Sequence, residues 1–274
     1  MRKVKIYWIV PVIVFGLFVL SCTQSSKKTG EETSVETSIS KEELRKDVEE
    51  VIYPLPTPFE LYQKLESIGA SYVGNVLNPV KNLDNYYTEK SKALALGVYG
   101  ADLSYSATYN KEQESKLYSN TLKSILDDLG VDVKFAKLLS EEHSEKFDNK
   151  DTLVNFITNT FYDTYSFLYE ESEPALAGLM VAGIWIESLY IATHISKDTY
   201  NNYEMVNLIY NQSKSLEKVI LLLDKFKDKE LVASISNALK KLKIIFEKTD
   251  GSLTKEQLEN ISTTIGTIRS SIIS

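Results

Sequence analysis

The stretch "PALAGLMVAGIWIESLYIATH", residues 174–194, limits the fold of this chain more than any other. From Ala175 to Ile186 it has twelve consecutive residues that are apolar or glycine. That run is shorter than the roughly 20 residues that a membrane-spanning helix needs, Glu187 ends it, and no basic residue flanks it. A helix that is apolar on all sides is stable when other helices surround it. The sequence therefore predicts a central core helix here.

A second stretch, "KALALGVYGADLSYSATY" at residues 92–109, has the same character. Both stretches contain small residues, which let two helix backbones approach closely. The sequence predicts that these two helices pack near each other. The small residues are Gly97, Gly100 and Ala101 in one stretch and Gly178, Ala182 and Gly183 in the other.

Helix-start signals and helical apolar spacing recur along the rest of the chain. Thr57 with Pro58 and Glu60 forms a capping box, and Thr88, Asn110 and Thr254 are further N-cap candidates. Between such signals the apolar residues follow the helical period, and no sustained two-residue alternation favours strands. We predict an all-α protein of roughly ten antiparallel helices in a bundle or short helical array, with two highly apolar central helices. A tetratricopeptide-type solenoid is the alternative.

The amino terminus has the layout of a bacterial secretory signal. Three basic residues among the first five precede an apolar run of fifteen residues, Ile6 to Leu20, and a polar tract follows. The last four residues, "VLSC", resemble a bacterial lipobox, whose cysteine becomes the lipid-modified first residue of the mature chain. The sequence predicts a signal peptide at 1–21 and lipidation of Cys22. The alternative is an incidental cysteine at the end of an uncleaved anchor.

After the predicted signal, composition separates a tether from a body. Half of the eighteen residues from Thr23 to Ser40 are Ser or Thr, which predicts a flexible tether at 22–40 and a single helical domain at 41–274. Thr23 replaces the aspartate that marks inner-membrane retention in some Gram-negative bacteria, which favours the outer membrane of the cell envelope. The signal contains three of the 31 basic residues and none of the 38 acidic ones, so the mature chain has a net charge of −10. This charge argues against nucleic-acid binding.

Each of the two apolar stretches contains one carboxylate, Asp102 or Glu187. A buried charge needs partners or a proton. Helical spacing places further polar residues on the same faces. These residues define a candidate polar pocket in the core, and the alternative is a purely structural network. They are Tyr99 and Tyr105 beside Asp102, and Tyr190 and His194 beside Glu187.

Familiar catalytic and metal-binding motifs do not occur in this sequence. Neither histidine of the chain, His143 or His194, has the glutamate three residues before it that a di-iron bundle uses. Cys22 is the only cysteine, so a cysteine zinc site cannot form. We find no nucleophile elbow and no phosphate-binding loop. The sequence therefore predicts neither a metal nor a cofactor.

Residues 53–131 resemble a known family. The stretches "YPLPTPFELYQKLESIGASYVGNVLNP" and "GVYGADLSY" are similar to those of all-helical lipoproteins of the Bacteroidota that have no known activity. The resemblance implies export, lipidation and a helical body. It implies no catalytic residue.

Two functional hypotheses follow. The first is a membrane-anchored envelope lipoprotein whose non-catalytic helical domain binds a partner protein or a small ligand. The second is an envelope enzyme or transport accessory that uses a pocket around Asp102 and Glu187. A partner-binding protein should expose an apolar or tyrosine patch, whereas an enzyme should have a cleft that reaches both carboxylates.

Overall fold

A computed structural model describes residues 55, 57–131, 150–170, 172–196 and 199–273. Within these ranges the chain forms nine α-helices and three short 3₁₀ helices, with no β-strand, so the predicted all-α class is confirmed. The α-helices are α1 (Pro58–Ser67), α2 (Glu89–Thr108), α3 (Glu112–Asp128), α4 (Lys150–Glu170), α5 (Pro174–His194), α6 (Tyr203–Tyr210), α7 (Gln212–Asp224), α8 (Glu230–Glu247) and α9 (Lys255–Ile273). The 3₁₀ helices are Gly74–Val76, Val80–Asn85 and Thr199–Asn201.

Every described residue belongs to one compact unit, Ile39–Ser274. A chain that begins at Ile39 therefore keeps all of the helices given above. The predicted signal peptide, the lipidation site Cys22, the tether and His143 lie outside the described residues.

The two apolar helices, α2 and α5, form the centre of the fold and share its most extensive helix–helix contact. A Cβ atom added at Gly97 would overlap the carbonyl oxygen of Met180, and one added at Gly183 would overlap that of Leu94. Only glycine permits this approach, so the predicted close packing of the two helices is confirmed. Asp102, five residues after Gly97, lies beside Glu187, four residues after Gly183, so the two helices run in the same direction. The prediction of antiparallel helices is therefore wrong for this central pair, which α3 and α4 separate along the chain.

Two of the other small residues have different surroundings from those that the sequence suggested. Gly178 faces α7, where a Cβ atom would lie 3.6 Å from a methyl group of Leu223. Gly100 has open space, with no atom within 4 Å of an added Cβ. The close approach of α2 and α5 therefore depends on Gly97 and Gly183.

The remaining helices surround this central pair. Helices α1 and α3 pack on α2, helices α4, α7 and α9 pack on α5, and α8 packs on α7 and α9. Helix α5 is the only helix in the described ranges that is long and apolar enough to cross a membrane, and 89% of its most apolar window is buried inside the domain.

Three of the four N-cap candidates named from the sequence precede a helix as expected, and one does not. The capping boxes at Thr57 and Thr88 are present, and Thr254 exchanges backbone–side-chain hydrogen bonds with Gln257 before α9. Asn110 was the wrong candidate for the N-cap of α3, because that helix begins at Glu112. Asn110 instead has φ of 55°, a left-handed conformation that asparagine tolerates, and it turns the chain between α2 and α3.

Candidate functional site

Asp102 and Glu187 lie together at the centre of the domain, and both side chains are fully buried. The close approach of α2 and α5 at Gly97 and Gly183, about one turn earlier, brings the two carboxyl groups together. The prediction that each carboxylate occupies an apolar interior thus agrees with the structure, and the two carboxyl groups form one polar centre.

Arg269 of α9 supplies the positive charge for this centre. Its Nε donates to Glu187 Oε2 over 2.6 Å, and its Nη2 donates to Glu187 Oε1 over 2.7 Å. The same Nη2 also donates to the carbonyl oxygen of Val76 over 3.0 Å. Arg269 is only 6% exposed, so this is a buried bidentate ion pair.

Sequence reasoning missed Arg269, although a signal was present. In α9 the buried residues Ile261, Ile265, Ile268 and Ile272 follow the helical period, and Arg269 lies four residues after Ile265. A lone arginine on the apolar face of a helix must find a buried anion, so its position indicated a partner.

The Asp102 carboxyl group has a different environment from that of Glu187. Its Oδ2 accepts a hydrogen bond from the backbone N–H of Asn78 over 3.1 Å, whereas Oδ1 accepts none from the described residues. Burial raises the pKa of Asp102 well above its usual value, and the negative charge of Glu187 raises it further. Burial also raises the pKa of Glu187, but the Arg269 guanidinium opposes that effect.

One guanidinium thus faces two carboxyl groups, so the centre is neutral when one carboxyl group keeps a proton. The bidentate contact with Arg269 favours the ionised form of Glu187, whereas burial and the nearby charge of Glu187 favour the protonated form of Asp102. We therefore place the proton on Asp102, from which it can be donated to Glu187. This arrangement also gives the unpaired oxygen of Asp102 a role.

The tyrosines of the predicted pocket do not hydrogen-bond to either carboxyl group in the structure. Tyr99 donates its hydroxyl to the carbonyl oxygen of Pro79 over 3.2 Å, and Tyr105 accepts from the backbone N–H of Val73 over 3.0 Å. Both hydroxyls therefore hydrogen-bond to the backbone of the connection between α1 and α2. These bonds hold that connection against the helix that contains Asp102.

Tyr190 and His194 lie beside Arg269. The Tyr190 ring stacks on the His194 ring with a centroid distance of 4.0 Å, and the Arg269 guanidinium carbon lies 4.0 Å from the Tyr190 centroid. His194 Nδ1 is 2.8 Å from the carbonyl oxygen of Tyr190, and burial lowers the pKa of His194. Of the predicted pocket residues, Asp102 and Glu187 thus form the carboxyl centre. Tyr99 and Tyr105 contact the α1–α2 connection, and Tyr190 and His194 lie beside Arg269.

An apolar crevice lies elsewhere, on the side of α2 and α5 that α1, α3 and α4 cover. Its larger cavity has a volume of about 70 Å³ and its smaller cavity about 40 Å³, and neither is lined by Asp102 or Glu187. Leu96, Gly100, Leu126, Phe156 and Met180 are among the residues that line the larger cavity. Sequence reasoning did not predict this crevice, because the gap depends on how five helices meet.

The described residues contain no group of three or more His, Cys, Asp or Glu side chains that could hold a metal ion. Comparisons with protein-family models, with curated proteins and with solved structures found no match for this chain. The functional argument therefore depends on the geometry of the buried centre and of the crevice.

Proposed function

We propose that this chain is a lipid-anchored protein of the cell envelope, on the outer membrane, whose non-catalytic helical domain binds a small apolar ligand. The observation that carries the proposal is the crevice between α1, α2, α3, α4 and α5. Its lining is almost entirely apolar, as in most small-molecule sites of proteins.

The geometry of the carboxyl centre supports a binding protein over an enzyme. Asp102 and Glu187 are fully buried, and their polar partners are Arg269, Asn78 and each other. Acid–base catalysis needs a carboxyl group within hydrogen-bonding reach of a substrate. A centre that is buried and internally paired in this way serves the packing of the core.

Binding of a partner protein is the second candidate, and the exposed tyrosines between α5 and α7 favour it. Tyr200 is 44% exposed and Tyr203 is 74% exposed, and the two lie within four residues of each other. Exposed aromatic side chains are common anchors at protein interfaces. We rank this candidate second because two tyrosines make a small surface, whereas the crevice has a continuous and almost entirely apolar lining.

The membrane anchor is tested by a Cys22→Ser variant of the full chain in a bacterial host. We expect the wild-type chain to incorporate a clickable fatty acid and to sediment with membranes, because two or three acyl chains anchor durably. The variant should lose the fatty-acid label. A Ser25→Ala variant in the tether is the matched control and should keep it. A Cys22→Ser chain that still carries the label would contradict the proposal.

Ligand binding is tested with methyl-¹³C methionine and the chain of residues 39–274. This chain has two methionines, and both are buried: Met180 lines the larger cavity, whereas Met205 on α6 does not. We expect n-pentane to shift the Met180 methyl signal in the NMR spectrum and to leave that of Met205 in place. Met205 thus serves as an internal control within the same sample.

A Gly100→Leu variant shows whether the shift originates in the crevice. Gly100 lines the larger cavity, and an added side chain there meets open space, so leucine should occupy the volume that the ligand would take. We expect this variant to fold and to lose the response of Met180 to pentane. Equal shifts of both methionines, or no shift in the wild-type chain, would contradict ligand binding in the crevice.

A further inference from the structure

The two cavities of the crevice adjoin each other along α5. Four residues line both of them: Thr57, Pro58, Phe161 and Ile184. The larger cavity extends from these residues toward α3, and the smaller one extends toward the start of α7. A ligand that occupies both must therefore be elongated, with one part on each side of Phe161.

The volume of the larger cavity decides which apolar group it accepts. Engineered cavities of about 150 Å³ in protein cores bind benzene. The larger cavity here has about 70 Å³, roughly half of that volume, and its lining is apolar. A slender, unbranched aliphatic chain fits this space better than an aromatic or fused ring.

One residue that lines the smaller cavity has a buried hydrogen-bond donor without an acceptor within the described ranges. Trp185 lines this cavity and is 7% exposed, and its indole Nε1 has no hydrogen-bond partner among the described residues. An indole N–H can only donate, so it cannot satisfy itself by reorienting as a hydroxyl can. A buried donor of this kind needs an acceptor, which a bound molecule in the cavity can supply.

Two threonine hydroxyls at the other end of the crevice could also donate a hydrogen bond to a ligand, but they are weaker candidates. Thr160 and Thr164 line the larger cavity, and their hydroxyl oxygens also have no partner in the described part of the chain. A helical threonine can rotate its hydroxyl toward the carbonyl oxygen four residues earlier. The polar end of the ligand is therefore assigned to Trp185.

The charged residues near the crevice indicate whether the polar end of the ligand is charged or neutral. No Lys, Arg or His is among the described residues that line either cavity. A buried carboxylate without a cation is strongly unfavourable, whereas an uncharged carbonyl needs only a donor. The head group should therefore be a neutral acceptor.

From these observations we infer that the crevice binds an unbranched acyl chain with an uncharged ester or amide carbonyl. The aliphatic part lies in the larger cavity, and the carbonyl oxygen accepts from Trp185 Nε1. This inference rests on the proposed function, because it names the ligand class for the same crevice.

The test follows two NMR signals of the 39–274 chain during titration. Trp185 is its only tryptophan, so its indole N–H gives a single ¹H–¹⁵N signal, while the Met180 methyl reports on the larger cavity. The ligands are methyl hexanoate, N-methyl hexanamide, hexanoate, n-hexane and methyl benzoate. We expect the ester and the amide to shift both signals, and hexane to shift that of Met180 alone. Hexanoate and methyl benzoate should bind at least tenfold more weakly than methyl hexanoate.

A Trp185→Phe variant removes the donor and keeps an aromatic ring. Its affinity for methyl hexanoate should fall by about 2- to 10-fold, the value of one neutral hydrogen bond, while its affinity for hexane stays the same. If hexane shifts Met180 but the ester leaves the Trp185 signal in place, the acyl-ester inference is wrong and apolar binding stands. If no ligand shifts Met180, both proposals fail.

Discussion

A Gly97→Ala substitution should destabilise the domain by about 3 kcal/mol or more. The added methyl group would overlap the carbonyl oxygen of Met180 and would lie 2.7 Å from the backbone nitrogen of Ile184. Backbone atoms cannot move aside as a flexible side chain can, so α2 and α5 must separate. For a domain of this size, a loss of 1 kcal/mol lowers the melting temperature by roughly 2–4 °C. Thermal and urea unfolding of the 39–274 chain measure the loss.

Gly100→Ala is the matched control in the same helix. An added methyl group at Gly100 has no atom within 4 Å, so the substitution brings no clash. Alanine is the better helix former by about 0.5–1 kcal/mol, so this variant should be slightly more stable than the wild-type chain. Equal effects of the two substitutions would show that the close approach of α2 and α5 does not limit stability.

The second large effect is expected from Glu187→Gln. Glutamine can accept one hydrogen bond from Arg269, but it leaves the guanidinium charge buried without an anion. Breaking a buried ion pair by removal of one partner typically costs about 3–5 kcal/mol. Urea unfolding at neutral pH should therefore show a loss in this range.

Asp102→Asn is the control for this prediction. If Asp102 is protonated, asparagine replaces one neutral group by another: its amide can donate to Glu187, and its carbonyl oxygen can accept from Asn78. Near pH 4 the cost should stay within about 1 kcal/mol, the scale of one hydrogen bond. At neutral pH the cost should be smaller or reversed, because only the wild-type chain then keeps a proton that its unfolded state releases. Similar losses in the two variants would contradict the assignment of the proton to Asp102.

The sequence predicted the helices and the burial of Asp102 and Glu187 for a clear physical reason. Apolar residues on all sides of α2 and α5 can only be buried, and any carboxylate on such a helix must be buried with them. The glycines at 97 and 183 pointed to the contact between the two helices. These inferences needed only the helical period and the cost of an unpaired charge.

The sequence could indicate that Arg269 needs a buried anion, but it could not show which carboxylate Arg269 pairs with. Arg269 reaches Glu187 across 82 residues of sequence, and the position of α9 relative to α5 decides that contact. Tyr99 and Tyr105 share a helix face with Asp102, yet they bind the backbone of the α1–α2 connection, whose path the sequence did not reveal. The crevice is a gap between helices, and the spacing of residues along the chain does not predict such a gap.

The central claim is that the buried carboxyl groups form a structural centre with the proton on Asp102. A carboxyl group with a raised pKa in the folded chain binds its proton more tightly there than in the unfolded chain. Its contribution to stability is therefore complete below its usual pKa of 3.8, and it is lost as the pH rises toward the folded-state value. The slope reaches at most about 1.4 kcal/mol per pH unit for one proton.

The most direct test is the free energy of unfolding of the 39–274 chain and its Asp102→Asn variant from pH 4 to pH 8. The difference between the two chains cancels the groups that they share. It should shift steadily in favour of the variant as the pH rises, because only the wild-type chain must hold this proton against its release. A difference that stays constant, or that shifts in favour of the wild-type chain, would contradict the claim and would return Asp102 to consideration as an ionised, functional carboxylate.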